Sequence, residues 1–257
     1  MPELAMTDYL TTPEGRRIAY DRIDGTGPGV VFLHGLKSDM QGTKAVALAD
    51  WARRTGRPFL RFDCSGHGVS GGAFEDGTIG QWFEDARAAI RQLTQGPQVL
   101  VGSSMGGWLS LLIAREHPEL VAGLVTIAGA PDFTEDGYWA ALDTAQRAQM
   151  VRQGYIDFPS DYGAPYRISH ALIEDGRERL VLRAPLSLPF PSRFLQGSAD
   201  TVVSVATALR LFDHATGSDI RLSVVKGADH RFSEPADIAL ICNTIEEILA
   251  RIAPRIG

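Results

Sequence analysis

Gly102-Ser103-Ser104-Met105-Gly106 decides how this chain is read. It follows the apolar run Gln98-Val99-Leu100-Val101 and precedes a helix-like run, Gly107-Trp108-Leu109-Ser110-Leu111-Leu112-Ile113-Ala114. Strand, Gly-x-Ser-x-Gly and helix in that order predict a tight, strained turn that lifts one serine oxygen above the end of a sheet. The flanking glycines are needed because a side chain at either position would collide with neighbouring backbone. The spacing selects the central residue, Ser104, over Ser103. Taken by itself the pentapeptide also fits a Gly/Ser-rich turn without chemistry. The strand before it and the helix after it weigh toward a nucleophile.

Outward from this turn the elements alternate. Short strands are expected at 16–20, 29–33 and 58–63, a helix over 43–55 that Gly56 stops, and an amphipathic helix over 81–93. After the elbow helix, which His117-Pro118 ends, come a strand at 120–128, strands near 194–197 and 221–225, and helices over 203–214 and 237–252. Strands alternating with helices predict an α/β architecture with a mostly parallel central sheet and helices on both faces. Residues 131–188 are rich in aromatics and turn residues with broken helical patterns, so they are expected as a cap insertion over one end of the sheet. No internal repeat or low-complexity linker interrupts the chain.

Composition bounds the function. The 257 residues carry 25 Lys and Arg against 31 Asp and Glu, a formal charge of −6, with no basic block. A general phosphate-backbone binder needs the opposite balance, so no nucleic-acid partner is expected. With 44% hydrophobic residues a sizeable core can form. No apolar run approaches the roughly 20 residues that span a bilayer. Cys64 and Cys242 offer neither a disulfide framework nor a metal spacing and read as two reduced thiols. The acidic start Met1-Pro2-Glu3-Leu4-Ala5-Met6-Thr7-Asp8 is unlike a secretory leader, which points to the cytoplasm.

A serine hydroxyl needs a base, and the base needs an orienting carboxylate. Beyond the elbow helix the histidines are His170, His214 and His230. His214 falls in a helical run on its solvated side, and His170 in the insertion. His230 follows a strand on a turn before the last helix, at a carboxyl end where open α/β sheets place their chemistry. For the acid, Asp200 ends a strand that runs into a loop. Asp229 competes, but adjacent residues face each other poorly, so it reads as a turn residue. Two backbone donors for a tetrahedral oxyanion are expected from Met105 and Leu36, with Gly35 allowing close approach. His34 reads as a structural loop histidine.

Two motifs point elsewhere and are set aside. Gly66-His67-Gly68-Val69-Ser70-Gly71 matches G-x-G-x-x-G, but no helix opens within it, so a flexible turn at the rim is expected rather than a nucleotide site. Asp63 and His67 have no further ligand to close a metal site. No metal or organic cofactor is called for. Trp82, Phe83 and Trp108 are expected in the core.

These residues make the chain similar to the α/β-hydrolases. The resemblance rests on His34-Gly35 as the oxyanion loop, the turn Asp63-Cys64-Ser65-Gly66-His67-Gly68, and Ser104, Asp200 and His230 in that order, and it runs over nearly the whole length. A narrower resemblance, carried by residues 96–108, Arg61-Phe62-Asp63 and Asp229-His230-Arg231, is to the mitochondrial abhydrolases that act as palmitoyl-protein thioesterases and acyl-glucuronide esterases, of which this chain looks like a bacterial-type relative. The resemblance implies a serine hydrolase that cleaves acyl esters or thioesters of a small-molecule or acylated substrate. Trp139, Tyr155, Phe158, Tyr162 and Tyr166 are candidates to line the acyl pocket between sheet and cap. Lys37 reads as a solvated surface lysine, with attraction of an anionic leaving group the alternative. Because fold does not fix substrate, carbon–carbon bond cleavage, lipase and lactonase activities, and a ligand-binding receptor on the same scaffold, stay open here. The sequence is silent on oligomeric state.

Overall fold

The computed structural model describes residues 7–159 and 165–252. In chain order the strands are β1 (Asp8–Thr11), β2 (Arg17–Ile23), β3 (Val30–Leu33), β4 (Phe59–Phe62), β5 (Gln98–Ser103), β6 (Val121–Ile127), β7 (Tyr155–Phe158), β8 (Tyr166–Ser169), β9 (Leu186–Ser187), β10 (Ser192–Gly197), β11 (Ala215–Thr216) and β12 (Ile220–Val225). The helices are α1 (Thr43–Thr55), α2 (Ile79–Leu93), α3 (Met105–Glu116), α4 (Thr144–Gln153), α5 (His170–Arg177), α6 (Val205–His214) and α7 (Pro235–Ile252).

Eight strands form one sheet in the order β1-β2-β4-β3-β5-β6-β10-β12. The β1–β2 and β2–β4 pairs are antiparallel, and the rest are parallel. Strand alternation sorts the central residues onto two faces. In β3, Val31 and Leu33 join one core while Val30 and Phe32 join the other; in β5, Leu100 goes to the first and Val99 and Val101 to the second. Trp82, Phe83 and Trp108 from α2 and α3 cover the first face, and Trp51 of α1 with Ile241, Ile245 and Ile248 of α7 cover the second. Burial on both faces is why these strands read as continuous apolar runs.

Local sequence sets most boundaries. Gly56 ends α1 in the left-handed conformation at φ 66°. Helix α2 starts at Ile79, two residues before the expected start, because the Thr78 side chain caps it by accepting from the Gln81 N–H. Strand β1 gave no recognisable signal: only Leu10 of its four residues is buried.

Between β6 and β10 lie a π-helical turn (Thr134–Trp139), α4, the antiparallel β7–β8 hairpin, α5 and β9. Asp132 starts this excursion with its side chain fully buried at φ 59°. Its carboxylate accepts from the N–H groups of Val181 and Leu182 and pairs with Arg183, so the outgoing and returning chain are tied together at the sheet.

Candidate active site

Ser104 sits between β5 and α3 at φ 52°, ψ −116°. For a residue with a side chain that backbone is strained, at a cost on the order of 1–3 kcal/mol, and packing must hold it. Its N–H donates to the Ile127 carbonyl at 3.0 Å, and its carbonyl accepts from Gly107 and Ala130. The flanking glycines are forced as expected. A Cβ on Gly102 would strike the Gly106 carbonyl, and one on Gly106 would strike the carbonyls of Leu33 and His34. Ser103 is buried within β5.

Three expected residues come together here. His230 Nε2 lies 3.2 Å from Ser104 Oγ, and His230 Nδ1 lies 2.9 Å from Asp200 Oδ2. Asp200 also accepts from the N–H groups of Val202 and Val203, each at 2.8 Å, and its side chain is closed to solvent. Burial pushes this carboxyl up, but the hydrogen bonds from His230 and Val203 outweigh it and hold the group below its ordinary value. An ionised Asp200 can only accept, so Nδ1 carries the imidazole proton and Nε2 is left to accept from the Ser104 hydroxyl. Asp229 is a turn residue, accepting from the Phe232 N–H.

The N–H groups expected as oxyanion donors come from two segments, the start of α3 and the loop after β3. Met105 is the first residue of α3, where an N–H has no carbonyl one turn back to bond. A Cβ on Gly35 would stand 3.2 Å from Ser104 Cβ, so the bare glycine lets the His34–Leu36 main chain run against the serine. His34 fixes this loop: Nδ1 donates to the Gly35 carbonyl and Nε2 accepts from the Cys64 N–H. Burial holds its imidazole below the ordinary value.

Two cavities meet at Ser104 and share Leu36, Tyr166 and His230 in their walls. One, about 280 Å³, is apolar and is closed by Ala130, Phe133, Gly137, Tyr138, Val202 and Val203. The other, about 330 Å³, is the more polar of the two and includes Lys37, Ser38, Asp39, Thr43, Lys44 and Arg231. Of the aromatic candidates Tyr166 lines both. Trp139, Tyr155 and Phe158 are not among the residues lining these two cavities, and each makes a ring contact within residues 131–188. Trp139 carries the guanidinium of Arg177 over its ring, Tyr155 carries that of Arg167, and the Phe158 ring lies tilted at 52° against Tyr138. Tyr138, in the π-helical turn beside Trp139, lines the apolar cavity. Tyr162 lies outside the described residues.

Other expectations are revised. Lys37 is exposed, but its amine stands 3.8 Å over the Phe74 ring at the polar cavity. Within the 66–71 turn His67 is buried against His34, Phe74 and Trp82, while Gly68, Val69 and Gly71 are exposed. His214 Nε2 donates to the Ala184 carbonyl, 2.6 Å away, rather than facing solvent freely. Among the described residues no group of three His, Cys, Asp or Glu could hold a metal ion, and no helix is long and apolar enough to cross a membrane.

Known proteins share this arrangement of chain. The family model described as Serine aminopeptidase, S33, matches residues 28–156. The mitochondrial palmitoyl-protein thioesterase ABHD10 of Bos taurus is 34% identical over 247 residues, covering 95% of this chain and 80% of that protein. The chain belongs to the α/β-hydrolase family. Mouse α/β hydrolase domain-containing protein 10 superposes on this hydrolase with a TM-score of 0.90 at 34% identity, covering 97% of this chain and 100% of that one. A hydrolase from Agrobacterium vitis S4 does so with a TM-score of 0.90 at 38% identity, covering 95% and 98%. The hydrolase is an enzyme, and its mostly parallel eight-stranded sheet is the fold of this family.

One residue that sequence reasoning missed is Gln196. Its Nε2 lies 3.0 Å from Asp200 Oδ2 and 2.9 Å from the Val203 carbonyl, and the residue is buried. A glutamine inside the apolar run Phe194-Leu195-Gln196-Gly197 was the available signal, because a buried amide in a strand must have a partner.

Proposed function

We propose that this hydrolase cleaves carboxylic esters and thioesters of acyl groups through an acyl-enzyme formed on Ser104. The observation that carries the reading is the hydrogen-bonded series from Asp200 through His230 to Ser104 Oγ, at 2.9 and 3.2 Å, at the junction of an apolar and a polar cavity.

The acyl group lies in the apolar cavity with its carbonyl carbon over Ser104 Oγ. As the oxygen attacks, His230 Nε2 takes the hydroxyl proton, and Asp200 holds the ring and stabilises the imidazolium. The N–H groups of Met105 and Leu36 bond the developing oxyanion. When the tetrahedral species collapses, the bond to the leaving oxygen or sulfur breaks and His230 returns the proton to it. The leaving group departs on the polar side. Water, deprotonated by the same imidazole, then attacks the acyl carbonyl and restores Ser104. Thioesters stand first among the substrates because ABHD10 is named a palmitoyl-protein thioesterase.

The test is a panel of p-nitrophenyl esters and acyl thioesters graded in chain length, run on wild-type and Ser104→Ala protein. Turnover of the wild type with labelling of Ser104 by a fluorophosphonate probe is expected. A folded wild-type protein that is neither labelled nor active on either class rejects the reading.

A further inference from the structure

Helix α1 begins against its own electrostatics. Its N-cap is Gly42, which offers no side-chain acceptor, and its first turn holds no acidic residue. Lys44 stands in that turn, where a cation opposes the helix dipole. Its side chain bridges to a distant part of the chain. Lys44 Nζ donates to the main-chain carbonyl of Arg231, the residue directly after His230. Lys44 also lines the polar cavity beside Ser104 and His230.

The loop it grips is under strain. Phe232 is fully buried at φ 46°, a left-handed backbone rare for an aromatic residue. The Gly227 N–H is held by Ser198 Oγ, which ties the loop to the segment after β10. The Lys44 bond ties it to α1, across the mouth of the polar cavity. The imidazole of His230 is thus suspended between two anchors.

We propose that Lys44 is a positioning residue that sets the His230 imidazole against Ser104 by holding the Arg231 carbonyl. The proposal rests on the reading of His230 as the base. The charged groups that face the amine are Asp229 and Arg231 from the same loop and Asp237 from α7, with Lys37 and Asp39 lining the same cavity. Burial brings the amine down to about 8, while Asp229 draws it back up. A charged amine makes the stronger bond to a carbonyl. The loop is therefore held most firmly below about pH 8, and the tie weakens as pH rises through that value.

The experiment compares wild type, Lys44→Met, Lys44→Arg and Ser104→Ala on p-nitrophenyl acetate, with melting temperatures to confirm folding. Lys44→Met is expected to lower kcat about tenfold with KM within about twofold, because a small displacement of a catalytic group costs rate rather than binding. Its profile should also lack the fall in kcat above about pH 8 that is expected of wild type. Lys44→Arg, charged throughout, should keep the wild-type rate and carry it to higher pH. A folded Lys44→Met with wild-type kcat, or with an unchanged alkaline limb, overturns the proposal. Should Lys44→Met fail to fold, a Lys44→Arg protein whose rate still falls near pH 8 overturns it equally. An active Ser104→Ala would instead overturn the reading of the site itself, which separates the two failures.

Discussion

Gln196 Nε2 stands 3.0 Å from the same Asp200 oxygen that His230 Nδ1 reaches at 2.9 Å. The amide and the imidazole together fix how the carboxylate is turned. Gln196→Leu should lower kcat about tenfold, a small part of the ~10⁴ that loss of an orienting carboxylate costs. Gln196→Glu should do more harm, because a second carboxylate beside Asp200 pushes its pKa up and moves the acid limb of the rate profile toward neutrality. Steady-state kinetics from pH 4 to 9 check both, and a Gln196→Glu profile that overlays wild type contradicts the assignment.

Ser104→Ala should lower kcat by about 10⁴ or more while leaving the melting temperature within a few degrees. Alanine keeps the Cβ that the strained turn already accommodates at φ 52°, so only the hydroxyl is lost. Residual turnover above a tenth of wild type would place the nucleophile elsewhere.

His67 predicts how the fold responds to acid. Burial lowers its imidazole to about 3, with His34 adding to the effect, against an ordinary value of 6.5. The unfolded chain therefore binds this proton more readily than the folded one. Stability should fall as pH drops below about 6.5, by up to roughly 1.4 kcal/mol per pH unit, until the folded group itself titrates near 3. His67 Nε2 is buried with no partner among the described residues, so His67→Phe loses the bond from Nδ1 to the Ser65 carbonyl. Urea midpoints measured between pH 4 and 7 should show a shallower decline in that variant.

Gly137 sets the width of the apolar cavity. A Cβ there would meet Phe133 Cβ alone, at 3.8 Å, so a side chain has room to enter. Gly137→Leu should reduce kcat/KM for long acyl chains about tenfold or more relative to acetate, since the chain and the leucine compete for one space. Equal losses on acetate and on long chains would show that the acyl group lies elsewhere.

Much of the site is legible without coordinates. The elbow is a local feature: the glycines at 102 and 106 are required by backbone contacts within a few residues of Ser104 or with the neighbouring strand. Asp200 and His230 could be chosen because each follows a strand, and in a parallel sheet strand ends converge at one edge. The pocket wall was less legible. Trp139 and Tyr138 are neighbours, and which of them faces the cavity depends on the π-helical turn at 134–139, which no hydrophobic period announces. Lys44 escaped because its partner, the Arg231 carbonyl, lies 187 residues away and comes close only after folding.

The linear order of residues determined the alternation of strands and helices, the conformation of the 102–106 turn and the identity of its serine, because each depends on sterics and periodicity over a few neighbouring positions. Tertiary structure alone decided the distances among Ser104, His230 and Asp200, the burial that lowers His67, and the division of the cleft into an apolar and a polar half. Those depend on segments distant in sequence packing against one another, Ser104 and His230 being 126 residues apart, and the energies involved arise only once water has been excluded from between them.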